Sequence, residues 1–202
     1  MTVAEHGLPA AAAGAVAKER PQIEIVPVRG LPIVALVLIG LVVSIAGNWS
    51  WALDFYHVVG GGLWTGVDLF MGFVIGPVMR RLSIPARIEI TTRLMPKLLL
   101  IMPTLVTMTL ASGFQLARLN GMLSGSYGRH AWVVASMVVV AIMAVAALGL
   151  LQPANIAVLF ELGKPQPNPA IVATLMRRFV YVAAITGLMQ VATLIIMTRL
   201  AS

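Results

Sequence analysis

The chain has 202 residues, of which 59% are hydrophobic and only 10% charged. Soluble domains carry about 25% charged residues, and a core of this length cannot bury so much apolar surface, so an integral membrane protein is expected and a soluble domain excluded. The net charge of +7 comes from bases clustered at the ends of apolar runs, which marks membrane orientation rather than a nucleic-acid footprint.

Residues 1–30 read as a flexible cytoplasmic tail. They lack the basic start of a cleavable leader, the stretch 10–17 is small-residue and weakly hydrophobic, and His6 carries no expected role. The segment PQIEIVPVRG alternates apolar and polar residues. That pattern suits a strand laid along a partner or a plain linker.

Residues 31–202 are expected to form an all-α bundle of five transmembrane helices, over 31–53, 55–79, 98–117, 130–151 and 179–200. Each run is about as long as a bilayer crossing requires. The runs are continuous rather than alternating, which argues against a barrel. A very short turn at Asp54 joins the first two spans. The connection 80–97 predicts a short amphipathic helix on the inner surface, with Ser83 as cap, Pro85 at an early position and Glu89 paired to Arg93. Pro153 is placed to kink or end the fourth span, with 154–162 continuing as helix. Gln166, Asn168 and Pro169 mark a break.

Orientation follows from the bases. Lys18, Arg20, Arg29, Arg80, Arg81, Arg87, Arg93, Lys97, Lys164, Arg177 and Arg178 fall on one side, leaving Arg118, Arg129 and Arg199 for the other. This predicts the N-terminus inside and the C-terminus outside, in a multi-pass bacterial inner-membrane protein. The absence of cysteine excludes disulfides, thiolate metal sites, iron–sulfur clusters and covalent haem attachment. No catalytic triad, phosphate loop, HExxH or paired-carboxylate pattern is present, so a hydrolase or nucleotide enzyme is not expected.

The chemistry concentrates in the second span. His57, Gly61, Trp64 and Asp68 share one stripe of a helix that advances about 100° per residue. Such groups face protein, water or a cofactor rather than lipid. His57 and His130 both open spans on the outer side. A helix N-terminus favours neutral imidazole, the form that ligates metals. If the second and fourth spans are neighbours, the two rings form a bis-imidazole site for a b-type haem, with Gly60, Gly61, Gly62 and Gly66 leaving room for the macrocycle. The alternative is interfacial capping by the histidines and helix packing by the glycines.

Asp68 falls near the bilayer centre, and no Lys or Arg lies mid-span. It suits a proton or cation relay, or else a structural acid bonded to Thr107, Thr109, Ser112, Gln115 or Gln190. Met71, Met102, Met108, Met137, Met143, Met189 and Met197 lie in spans. They read as copper(I) ligands or as ordinary core filler. Trp49, Trp51, Tyr56 and Trp132 form the expected aromatic belt.

The run from His57 through Gly60, Trp64, Gly66 and Phe70 to Pro77 and Arg80 resembles the HxxGxxxWxG pattern of small bacterial membrane proteins of the copper-resistance-D-like group and, more distantly, the HemJ-type protoporphyrinogen oxidase. The resemblance also takes in Arg93–Pro96 and covers residues 53–117. It implies a helical membrane bundle with His57 as a haem or copper ligand. The chain departs from it at Asp68, in its long tail and in having no lysine within a span. The expected function is a haem b-binding redox protein, or a subunit of a larger membrane redox complex exchanging electrons with quinone, rather than a stand-alone enzyme. The alternatives are a copper or small-cation permease using His57 and Asp68, and a non-catalytic subunit packing on a larger membrane complex.

Overall fold

The computed structural model describes residues 26–201, which are helical with no strand among them. The expectations for the tail before residue 26, His6 included, lie outside the described residues. Five helical segments are long and apolar enough to cross a membrane: Val28–Ala46, Ser50–Arg81, Ile84–Leu119, His130–Leu162 and Pro169–Leu200. The protein is a multi-pass membrane protein.

A 3₁₀ turn, Val28–Gly30, runs directly into α1, Leu31–Ala46. The end of PQIEIVPVRG is thus helical rather than extended. Helix α1 stops well before Asp54. Asn48 adopts a left-handed conformation (φ 51°), with its N–H bonded to Ile45 O at 3.2 Å and the Trp49 N–H to Ser44 O at 3.1 Å. This is a Schellman termination with asparagine in the position glycine usually takes. The turn therefore falls at 47–49 and Asp54 lies within the next helix.

Helix α2, Ser50–Leu69, passes through a π-helical turn, Phe70–Ile75, into α3, Gly76–Arg81. A second π-helical turn, Ala147–Leu151, joins α5, His130–Ala146, to α6, Gln152–Leu162. Each wide turn lies just before a proline, Pro77 or Pro153. A proline cannot donate to the carbonyl one turn back and its ring crowds it, and an i→i−5 turn absorbs that misfit. Pro153 thus neither ends the fourth span nor interrupts its helix.

The surface helix expected over 80–97 is not separate. It is the first part of α4, Ile84–Leu119, a 36-residue helix of about 54 Å at 1.5 Å per residue. Hydropathy ends where water begins, but the helix continues. Pro85 sits in its first turn, and Arg93 pairs with Glu89 at 2.8 Å on the exposed face. Ser83 precedes the helix without a side-chain cap bond. Helix α7, Pro169–Ala201, likewise starts ten residues before its apolar run.

The segments α2–α3, α4, α5–α6 and α7 form a four-helix ring in that order, and α1 packs outside against α2 and α4. Helices α2 and α5 therefore lie diagonally across the ring, not side by side. Both π-helical turns pack on α7. The contact between α2–α3 and α7 is built on small residues: a Cβ at Gly72 would stand 2.7 Å from Ala184 Cα, one at Gly187 would meet the Leu69 backbone N at 3.2 Å, and one at Gly76 would strike Val180. Backbones approach this closely only where side chains are absent. That approach fixes the height of α7 against α2.

Proline in α4 creates a further demand. Pro103 offers no N–H to Leu99 O, and the Gln152 amide of α6 donates to that carbonyl at 3.2 Å. The Asn155 amide donates to Met95 O at 3.2 Å. Inside a bilayer the carbonyl freed by Pro103 has no water to turn to, and Gln152 satisfies it; with the Asn155 bond, this ties α6 to α4.

Candidate functional site

The predicted stripe on α2 faces the interior. Trp64 and Asp68 are 2% and 1% exposed, and His57 is half-buried. Its members, however, meet different neighbours. The upper part meets α4 and the lower part meets α7.

His57 Nδ1 donates to Thr109 O at 2.9 Å. A carbonyl can only accept, so Nδ1 is the donor in this bond. The ring lies in a notch at Gly113, where a Cβ would stand 2.5 Å from His57 Cε1 and 3.5 Å from Nε2. His130 bonds through Nδ1 to Met122 O, at 3.4 Å, and so holds the loop that leads into its own helix.

The glycines do not line an open gap. A Cβ at Gly60 would meet Thr109 Oγ1 at 2.8 Å and one at Gly61 Thr109 Cγ2 at 3.5 Å, while Gly62 and Gly66 face outward with nothing within 4 Å. The seat expected for a flat macrocycle beside Gly60 and Gly61 is filled by α4. Among the described residues, no three His, Asp or Glu side chains converge as a metal-binding group. Met71, Met102, Met108 and Met143 are buried in the one apolar core, which also holds Trp64, Leu105 and Val106.

Asp68 carries the most distinctive geometry. Its Oδ2 accepts from Thr186 Oγ1 at 3.1 Å and from Gln190 Nε2 at 2.9 Å, both on α7. Of the partners foreseen, Gln190 is the one that reaches it. Thr109 and Ser112 bond back to carbonyls of their own helix, Gln115 donates to Asn48 Oδ1 at 2.6 Å, and Thr107 is exposed. Thr186 was not foreseen. It lies four residues before Gln190 and so shares its helix face, which is the signal that points to it.

Asp68 forms no ion pair among the described residues. One turn above, the Trp64 indole leans toward the same carboxyl without reaching hydrogen-bond geometry. Both Trp64 Nε1 and Gln190 Oε1 are buried with no hydrogen-bond partner. A donor, an acceptor and a carboxyl thus meet in the bundle interior, where unpaired polar atoms are costly.

Other buried polar groups lie nearer the two ends of the bundle. Ser112, Gln115 and Ser136 lie toward one end, and Asn155 and Thr91 toward the other. The belt residues Trp49, Trp51 and Trp132 are exposed as expected. Tyr56 instead packs its hydroxyl over Gly40 of α1. No family profile, curated protein or solved structure matches the chain.

Proposed function

We propose that this protein handles protons or another small cation within the membrane, with Asp68 as the group that takes up and releases them. The observation that carries the reading is a carboxyl 1% exposed in the middle of a span, held by neutral donors and no base. An acid in that position is costly, and function is its usual explanation. Thr186 and Gln190 orient the carboxyl. Trp64 and the free oxygen of Gln190 lie beside it. The polar groups nearer the two ends give the cation a route. The host is a bacterial plasma membrane, with the N-terminus inside. Neither haem nor copper is needed.

The test is a flux assay on the full-length protein in liposomes that enclose a pH-sensitive dye, driven by an imposed membrane potential. Wild type should dissipate the potential through proton entry, and Asp68→Asn should not. Wild-type flux no greater than that of protein-free vesicles refutes a transport role for protons. Repeating the assay with copper(I) or an alkali cation extends the test to those ions.

A second reading rests on one observation. Both imidazoles bond to a backbone carbonyl through Nδ1, so Nε2 is the ring nitrogen not used in these bonds and the one that would face a metal. On that reading His57 or His130 holds a b-type haem singly, since α2 and α5 lie diagonally across the ring and the paired site foreseen for the two rings is not formed, and the chain is an electron-transferring subunit working with quinone. The macrocycle would need a seat away from Gly60 and Gly61. An optical spectrum of the purified protein tests it.

A further inference from the structure

A cleft of about 640 Å³ opens at the basic end of the bundle, between α3, the start of α4 and the start of α7. Arg80, Arg87 and Arg177 line it, together with Thr174, and Met79, Ile88 and Val180 form an apolar wall. No Asp or Glu belongs to the lining. The two nearby carboxylates are engaged elsewhere. Glu89 pairs with Arg93 at 2.8 Å, and Glu161 takes Lys164 and the Asn168 N–H, the latter at 3.0 Å.

The arginines divide into two kinds. Arg87 is structural: its Nε donates to Leu82 O at 2.9 Å and its Nη2 to Arg80 O at 2.7 Å, closing the corner between α3 and α4. Arg80 and Arg177 are exposed and form no ion pair among the described residues. The α7 N-terminus contributes little to anion binding, because Asn168 Oδ1 already accepts from the Ala170 and Ile171 N–H groups at 3.0 and 3.4 Å. The charge of the cleft is therefore guanidinium charge with no carboxylate to offset it.

Guanidinium groups bind phosphate oxygens in a fixed fork geometry. Bases at the ends of membrane helices attract anionic headgroups. A purely soluble anion has no use for the apolar wall of Met79, Ile88 and Val180. The geometry points to a binding site for a phosphate-bearing amphiphile, namely an anionic phospholipid of the surrounding bilayer, with its phosphate between Arg80 and Arg177 and its acyl chain against that wall. The site is separate from Asp68 and stands whether or not Asp68 moves protons.

The test is native mass spectrometry of the full-length protein released from bilayers containing equal amounts of phosphatidylglycerol and phosphatidylcholine. Wild type should retain phosphatidylglycerol preferentially. Arg80→Gln combined with Arg177→Gln should lower that preference more than about tenfold. Arg118→Gln combined with Arg129→Gln, at the other end of the bundle, should leave it unchanged. Added inorganic phosphate or glycerol phosphate should not displace the lipid. Equal retention of the two lipids by wild type overturns the proposal. So does an unchanged preference in the Arg80/Arg177 variant, and so does ready displacement by inorganic phosphate, which would make this a site for soluble phosphate.

Discussion

The amide of Gln190 donates to the carboxyl of Asp68 at 2.9 Å, joining two residues 122 positions apart in the chain. Thr186, one turn before Gln190, reaches the same oxygen. The pair exists because Gly72, Gly76 and Gly187 let α7 approach α2–α3 almost backbone to backbone. Replacing Gln190 by Leu removes one donor from a buried acid. A double-mutant cycle of Asp68→Leu and Gln190→Leu, read by thermal unfolding in detergent, should give a coupling of about 0.6–1.7 kcal/mol, the range for hydrogen bonds between membrane helices. Strict additivity would mean that the bond contributes nothing to stability.

The glycines divide into those that pack and those that do not. Gly72→Val should destabilise by about 1–3 kcal/mol, because the backbone of α7 has nowhere to go. Gly62→Ala and Gly66→Ala point into open space and should be neutral, or stabilising by up to about 1 kcal/mol through helix propensity. Thermal unfolding of the three variants side by side checks this. Equal effects would mean that α7 does not approach where it is placed.

The carbonyl freed by Pro103 depends on Gln152. Gln152→Leu should cost about 1–3 kcal/mol, the penalty of a buried polar group left alone. Restoring an N–H donor with the double variant Gln152→Leu, Pro103→Ala should recover most of that loss. Unfolding measurements on both variants decide the point.

His57 separates two accounts of the N-terminal end of α2. As a helix tie it donates to Thr109 O and fills the Gly113 notch. His57→Ala should then lower stability by about 1 kcal/mol or more and leave the visible absorbance of the purified protein unaltered. If the ring holds a b-type haem, wild type shows a Soret band that the variant loses.

Much of the fold was legible in the sequence, and the reason is physical. A bilayer demands apolar runs of a fixed length, and all five spans announced themselves that way. The helix ends were not legible by the same rule, since α4 and α7 extend into water where hydropathy no longer reports on them. The turn before α2 was hidden because a left-handed Asn48, not a charged residue, ends α1. In the site, Asp68 stood out as an acid in an apolar run and Gln190 as an amide in another. Thr186 did not, because one threonine among small and apolar neighbours looks like filler. The glycine stripe was read as room for a ligand. Without knowing which helix faced it, nothing in the sequence separates room for a macrocycle from room for Thr109.

The central claim is that Asp68 changes its protonation state within the folded bundle. Infrared difference spectroscopy of the protein in liposomes, stepped in pH, measures this directly through the carboxyl C=O stretch. The account predicts a band that appears and disappears with pH in wild type and is missing from Asp68→Asn, with the band position shifted in Gln190→Leu. A wild-type spectrum with no carboxyl change attributable to Asp68 at any pH where the protein stays folded would contradict it, and would leave this residue a structural tie between α2 and α7.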